Sequence, residues 1–153
     1  MLLADQERSH WRNDEIAEAL DLVVHPALAR PISQSAASYA LQARIAVEHA
    51  STPSSAATRW DRIVGQYDLL LELMPSPSAR LARAVAFGPA AGLAALDGVE
   101  IPGSHRVAAV RAALLARDGE LRGAAAAYDE AIAPCRNDTE RAHLLERRQT
   151  LQE

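Results

Sequence analysis

The sequence predicts an all-α protein of about eight helices. Alanine, the strongest helix former, makes up about a fifth of the 153 residues, whereas aromatic residues make up only 4%. Apolar residues recur at intervals of three and four, the spacing of one helix face, and proline or glycine separates the resulting segments. We therefore expect a core formed by close approach of helices rather than by bulky side chains.

The N-terminal segment 1–34 is predicted to hold an arm and the first helix. Ile16 and Leu20 lie at helical spacing, and Pro26 should bend or end this helix. Trp11 stands just before the helix, where its ring can pack onto the first turn.

The segment 35–135 is predicted to hold repeated helix pairs. A helix over 35–50 has a face of small residues, on which Tyr39 and Ala46 also lie. The next helix is predicted over 60–74, because its apolar residues keep one helical register up to the following proline.

The clearest repeat unit lies in the stretch 114–132. One helix ends before a tight turn at Gly119, and the next helix carries Ala124, Tyr128 and Ala131 on one face. This order of small, aromatic and small residues is typical of the second helix of a tetratricopeptide (TPR) repeat. The alternative is any antiparallel helix pair with an alanine-rich contact.

A second helix follows the same register, which strengthens the repeat hypothesis. The corresponding pairs are Trp60 with Leu121, Ile63 with Ala124, Tyr67 with Tyr128, and Leu70 with Ala131. Gly92 and Leu96 occupy the positions of Ala124 and Tyr128 in a middle copy. The copies are about 29 and 32 residues apart, below the usual 34, so the middle unit is predicted to have lost about one helical turn.

Helix starts are indicated at three further places. Ser76 precedes a proline, and Ser104 precedes an apolar helical pattern. In the segment 136–153, Asn137 and Glu140 have the spacing of a capping box. This last helix has few apolar positions, so we predict that it is a terminal capping helix with one packed face.

Composition argues against several classes of function. The net charge of −4 provides no basic surface for nucleic acid, and no stretch reaches the length of a membrane span. A single cysteine excludes an internal disulfide and suits a reducing compartment. We therefore expect a cytoplasmic protein that contacts neither nucleic acid directly nor a membrane.

The sequence contains no recognisable catalytic constellation, and we predict a protein that is not an enzyme. The five histidines have no metal-binding spacing, so neither a metal site nor a cofactor is expected. A nucleophilic pair between Cys135 and His143 is the alternative to a buried structural Cys135, which we favour. The histidines are His10, His25, His49, His105 and His143.

Four polar residues are the candidates for a partner-binding groove. In a TPR array the first helices of the pairs line a concave surface, and in this register Gln42, Arg83, Arg106 and Arg117 can face it. Arginine suits the recognition of carboxylate or phosphate groups. The alternative for each arginine is an ordinary solvated side chain.

Several blocks of sequence, in order and over nearly the whole chain, form a specific pattern. The blocks are DQERSHW at 5–11, YALQARIA at 39–46, WDRIVGQYDLL at 60–70, Ser76-Pro77, RAVA at 83–86, GPAAGL at 88–93 and the repeat around Tyr128. Together they resemble the C-terminal extension of one group of bacterial extracytoplasmic-function RNA polymerase sigma factors. The chain departs from the family at Ala82, where an asparagine is usual, and in a shorter connection before Gly88.

The resemblance implies a right-handed, TPR-like array of antiparallel helix pairs that regulates transcription through protein contacts. The implied partners are sigma-factor regions, RNA polymerase or a regulator. Because the chain has no helix-turn-helix with a basic recognition helix, we expect no promoter recognition by this chain alone. The alternative is a free-standing TPR-like adaptor that binds a peptide or a protein outside transcription.

Overall fold

The computed structural model describes residues 7–25 and 33–151, and within these ranges it contains eight α-helices and no strand. The all-α prediction is confirmed. Two short 3-10 turns accompany the helices, at Arg8–His10 and Ser55–Ala57. The helices are α1 Asn13–Val23, α2 Gln34–Ala50, α3 Trp60–Leu73, α4 Pro77–Phe87, α5 Pro89–Ala95, α6 Arg106–Arg117, α7 Leu121–Ile132 and α8 Asp138–Thr150.

Side-chain caps define several helix starts. The hydroxyl of Ser76 accepts a hydrogen bond from the Ala79 N–H at 3.1 Å, and the Asn137 side chain accepts one from Glu140 at 3.1 Å. Both predicted caps are therefore confirmed, since each satisfies a backbone donor of the first turn. Ser104 lies one residue before the N-cap position, which is His105, but the Ser104 hydroxyl accepts the hydrogen bond of the Arg106 N–H at 3.2 Å.

The chain divides into two compact units, Met1–Pro75 and Ser76–Glu153. In the first unit α2 packs between α1 and α3, and in the second unit successive helices from α4 to α8 pack on one another. The division falls inside the predicted segment 35–135. The predicted helix-ending effect of Pro26 lies outside the described residues.

Three helices begin at equivalent positions of the predicted repeat. These are α3 at Trp60, α5 at Pro89 and α7 at Leu121, which the proposed register aligns with one another. The middle helix has only 7 residues, compared with 14 in α3 and 12 in α7. The short α5 does not account for the turn predicted to be lost, because the 29-residue spacing from Trp60 to Pro89 covers only residues that precede α5.

Two glycines make the sharp turns of the second unit possible. Gly88 has a φ of 82° and is the only residue between α4 and α5, and Gly119 has a φ of 85° between α6 and α7. A side chain at either position would be strained, because positive φ brings Cβ close to the backbone.

The helix pair α6 and α7 forms the centre of the core of the second unit. Ala112 and Ala131 are fully buried, Tyr128 is 5% exposed, and all three belong to one apolar cluster that extends to Leu144 of α8. Burial also raises the pKa of the Tyr128 hydroxyl. The predicted inward positions of Tyr128 and Ala131 are confirmed.

Helix α2 packs through residues outside the small-residue face of the sequence pattern. Its buried residues are Ser38, Leu41 and Ile45, whereas Tyr39 is 72% exposed and Ala46 is also exposed. Alanines occur on several sides of this helix, and small residues fit either a contact or a surface, so the sequence pattern alone does not decide which face is buried.

The three tyrosines should differ in their contribution to stability. We expect Tyr128→Ala to lower the free energy of unfolding by about 3–5 kcal/mol, because it opens a cavity between packed helices. Tyr67 is only partly buried, so Tyr67→Ala should cost less, about 1–2 kcal/mol. Tyr39→Ala is the exposed control and should change stability by less than about 0.5 kcal/mol. Chemical denaturation measures all three, and equal losses would contradict the burial pattern.

A side chain at position 92 should lower the stability of the second unit. A Cβ atom at this position would overlap the carbonyl oxygen of Ala84 and lie 3.0 Å from Cδ1 of Leu114. Because α4 and α5 must move apart to admit a methyl group, we expect Gly92→Ala to destabilise the protein by about 1–3 kcal/mol. At Gly123 the added Cβ would meet only the Leu115 side chain, at 3.4 Å.

Gly123→Ala is therefore the matched control for the same substitution in a neighbouring helix. It should leave stability unchanged or raise it by up to about 1 kcal/mol, because alanine is the better helix former. Thermal denaturation of the two variants gives the comparison. A stabilised Gly92→Ala protein would mean that α4 and α5 are further apart than described.

Candidate functional site

The four predicted groove residues lie on helices of both units. Gln42 is an exposed residue of α2, and its side-chain amide donates to the Ser38 hydroxyl at 3.2 Å. Arg83 lies on α4, with its guanidinium 4.4 Å from the centre of the Phe87 ring. Arg106 and Arg117 are the first and last residues of α6, and both are exposed.

Arg106 and Arg117 share one face of α6 but do not converge on one point. Eleven residues correspond to about three turns, so they lie on the same side and about 16 Å apart along the axis. Arg106 also approaches Oε1 of Glu140 at 4.0 Å. These arginines therefore form a line of positive charge along α6 rather than a pocket for a small anion.

A different group of residues, which sequence reasoning missed, comes together at one end of the second unit. His105 caps the start of α6, Cys135 follows the end of α7, and Glu140 lies in the first turn of α8. Because α6 and α7 form a hairpin, the start of one helix lies beside the end of the other. We call these three residues the His105–Cys135–Glu140 cluster.

The cluster is compact and partly buried. The Cys135 sulfur lies 3.8 Å from Nε2 of His105, and the same nitrogen lies 3.1 Å from Oε2 of Glu140. Cys135 is 5% exposed, and the side chains of His105 and Glu140 are 17% and 43% exposed. The three ligand atoms all lie within 4.8 Å of one another.

The contacts of the cluster limit the chemistry that it can perform. In a catalytic triad of thiol, imidazole and carboxylate, the thiol and the carboxylate contact different nitrogens of the histidine ring, so that a proton can pass through the imidazole. Here both groups approach Nε2 of His105. The arrangement is therefore unsuited to a relay, whereas thiolate, imidazole and carboxylate around one point are ligands that a transition-metal ion accepts.

The groups next to the cluster include a backbone carbonyl and the charged side chain of Arg106. The thiol can donate to the carbonyl oxygen of Asn137 at 3.6 Å, and Arg106 faces Oε1 of Glu140, which is the carboxylate oxygen turned away from the ring. The N-termini of α6 and α8 both lie at the cluster.

From the sequence, His143 is the alternative partner of Cys135, but the imidazole beside the Cys135 thiol is that of His105. His143 instead has Nδ1 at 3.6 Å from Oε2 of Glu146 within α8. Thirty residues separate Cys135 from His105, so no short motif reveals the pair. The predicted hairpin was the signal that could have revealed this pair. In a hairpin, the residue before the first helix and the residue after the second helix lie at the same end.

The first unit has its own polar cluster, where the N-terminal arm meets the end of α2. Nη1 of Arg8 donates to the carbonyl oxygen of His49 at 2.8 Å and to the carbonyl and hydroxyl oxygens of Thr52. The His49 ring packs edge-on against Trp60, with ring centres 5.4 Å apart. Arg8 therefore fixes the arm and closes the end of α2.

Comparison with known proteins yields one relative of similar sequence. Uncharacterized protein R00370 of Rhizobium meliloti (strain 1021) is 35% identical to this chain over 150 residues. The match covers 94% of this chain but only 34% of that protein, so the chain spans about a third of the relative's length. No family model matches the chain, and no solved structure matches it.

Within the part of the chain that the structure describes, no helix is long and apolar enough to cross a bilayer.

Acidification should weaken the first unit through His49. Burial, and then the charge of Arg8, lower the pKa of the His49 imidazole below its usual value of 6.5. The unfolded chain therefore binds this proton at higher pH than the folded one does. Stability from the neutral ring is complete above about pH 6.5 and is lost as the pH falls through the lowered pKa.

The variant His49→Phe isolates this effect. Phenylalanine keeps the contact with Trp60 and removes a buried Nδ1 that has no hydrogen-bond partner among the described residues. We expect the free energy of unfolding of the variant, relative to that of the wild type, to be higher at pH 5 than at pH 7. A difference independent of pH would show that His49 titrates normally.

Proposed function

We propose that this chain is a cytoplasmic regulatory module that acts by binding protein. In this proposal it is a TPR-like helical array similar to the C-terminal extension of an extracytoplasmic-function sigma factor. Its partners are sigma-factor regions, RNA polymerase or a regulator of either. The module neither catalyses a reaction nor recognises a promoter by itself.

The observation that carries the proposal is the repeated helix register. Three helices start at equivalent residues, Trp60, Pro89 and Leu121, and each follows another helix with which it packs. Repeated helix pairs present exposed faces of their first helices on a concave surface, and proteins with this organisation bind other proteins there. The aligned register therefore favours an interaction module over a catalytic domain.

An exposed stripe on α2 gives this surface a specific character. Ser35, Tyr39, Gln42 and Ala46 follow one another at helical spacing, and all four are exposed. Tyrosine is enriched at the centres of protein interfaces because its large ring combines apolar area with a polar group. A tyrosine that is 72% exposed, beside an amide and two small residues, suits the docking of another protein's helix or loop.

The comparison adds support of a different kind. The relative from Rhizobium meliloti is about three times as long as the matching region. A chain that corresponds to part of a longer bacterial protein agrees with a role as one regulatory region among others. The same helical features also suit the alternative, a free-standing adaptor, so the identity of the partner must discriminate between the two.

Binding to purified components tests the proposal. The chain is immobilised, and core RNA polymerase and the polymerase- and promoter-binding regions of sigma factors from the same cell are passed over it. We expect specific retention of one of these proteins and none of promoter DNA. Retention of neither protein would contradict the sigma-factor proposal and favour the adaptor.

Substitutions in the stripe distinguish a specific surface from general adhesion. Replacing Tyr39 and Gln42 together by alanine should weaken the complex about tenfold or more, as the loss of an interfacial tyrosine commonly does. Leu69→Ala is the control, because Leu69 is also exposed, at 48%, but lies on α3. Equal weakening by both variants would mean that α2 does not form the contact.

A further inference from the structure

The His105–Cys135–Glu140 cluster has the composition of a metal site. Thiolate and imidazole ligands select zinc and related transition metals, whereas magnesium and calcium require oxygen ligands. The described part of the chain contains one group of three or more histidine, cysteine or acidic residues with ligand atoms this close together. Its members come from three separate helix ends, so tertiary structure alone assembles them.

The spacing of the ligand atoms fits a tetrahedral zinc ion. With usual zinc bond lengths, sulfur and nitrogen ligands stand about 3.6 Å apart, and nitrogen and oxygen ligands about 3.3 Å apart. The Cys135 sulfur is 3.8 Å from Nε2 of His105, and that nitrogen is 3.1 Å from Oε2 of Glu140. The three ligand atoms lie within 4.8 Å of one another, and the half-exposed Glu140 side chain is the one with room to turn towards a bound ion.

The charges also balance. A thiolate and a carboxylate carry two negative charges, which a divalent cation neutralises. Arg106 does not compete for the ligand oxygen, because it faces Oε1 of Glu140 whereas Oε2 faces the ring. Binding releases the thiol proton to solvent, and the imidazole proton is then on Nδ1, which leaves Nε2 free to donate its electron pair.

We propose that His105, Cys135 and Glu140 bind one zinc ion that joins the start of α6, the end of α7 and the first turn of α8. A water molecule completes the coordination on the side where Glu140 is exposed. The ion fixes the terminal helix α8 on the hairpin, because Glu140 lies on α8 whereas His105 lies at the start of α6. This role is independent of the partner that the module binds.

Titration of the purified full chain with zinc alone tests the proposal. Isothermal titration calorimetry should give one zinc ion per chain, and zinc should raise the melting temperature. Cobalt(II) should give the intense visible bands of a tetrahedral site and a near-ultraviolet band from sulfur-to-cobalt charge transfer. Because the chain has 1 cysteine, this band reports Cys135 specifically.

Single variants assign the ligands. Loss of a residue that only supports a metal ligand weakens metal binding by roughly 10–100-fold. Cys135→Ser and His105→Gln remove ligands themselves, so we expect each to weaken zinc binding by more than this. Glu140→Gln should also weaken it, because an amide oxygen is a poorer zinc ligand than a carboxylate. His143→Gln is the matched control, since His143 also lies beside a glutamate but on α8 alone, and it should bind zinc as the wild type does.

Two results would overturn the proposal. One is a wild-type chain that binds zinc no more tightly than Cys135→Ser does. The other is a cobalt spectrum without thiolate charge transfer, which needs no variant and is therefore unaffected by any folding defect. Circular dichroism of the variants separates loss of a ligand from loss of α8.

Discussion

The second unit depends above all on the close approach of helix backbones through alanine and glycine. Ala112 and Ala131 have no exposed surface, and Gly92 stands so near the carbonyl oxygen of Ala84 that a methyl group does not fit. Small residues at the contact allow short distances between helix axes, and close packing then supplies dispersion energy along the whole contact. A chain with only 4% aromatic residues can thus form a well-packed interior.

This way of packing makes the register strict. Where large side chains fill a core, neighbouring residues can adjust by changing rotamers, but a backbone in contact with a backbone has no such freedom. The sharp glycine turns before α5 and α7 are one result, because only a short connection keeps a hairpin in register.

Helix hairpins also bring distant parts of the sequence together at their ends. In the second unit this produces the His105–Cys135–Glu140 cluster, with ligand atoms within 4.8 Å of one another. In the first unit it brings Arg8 to the end of α2, where it closes the helix by hydrogen bonds. The outward faces of the helices remain exposed, and a protein partner can reach them. The stripe around Tyr39 on α2 is an example.

The sequence by itself determined the helical class, most helix boundaries and the inward face of α7, because alanine content, capping residues and helical spacing are local properties. Ser76, Asn137 and Tyr128 illustrate this, since each has the role that its neighbours predict. Tertiary structure alone decided which side of alanine-rich α2 is buried, because its pattern allowed more than one packed face. It also decided that Cys135 meets His105 rather than His143, because a contact across 30 residues depends on how the helices pair and leaves no short motif.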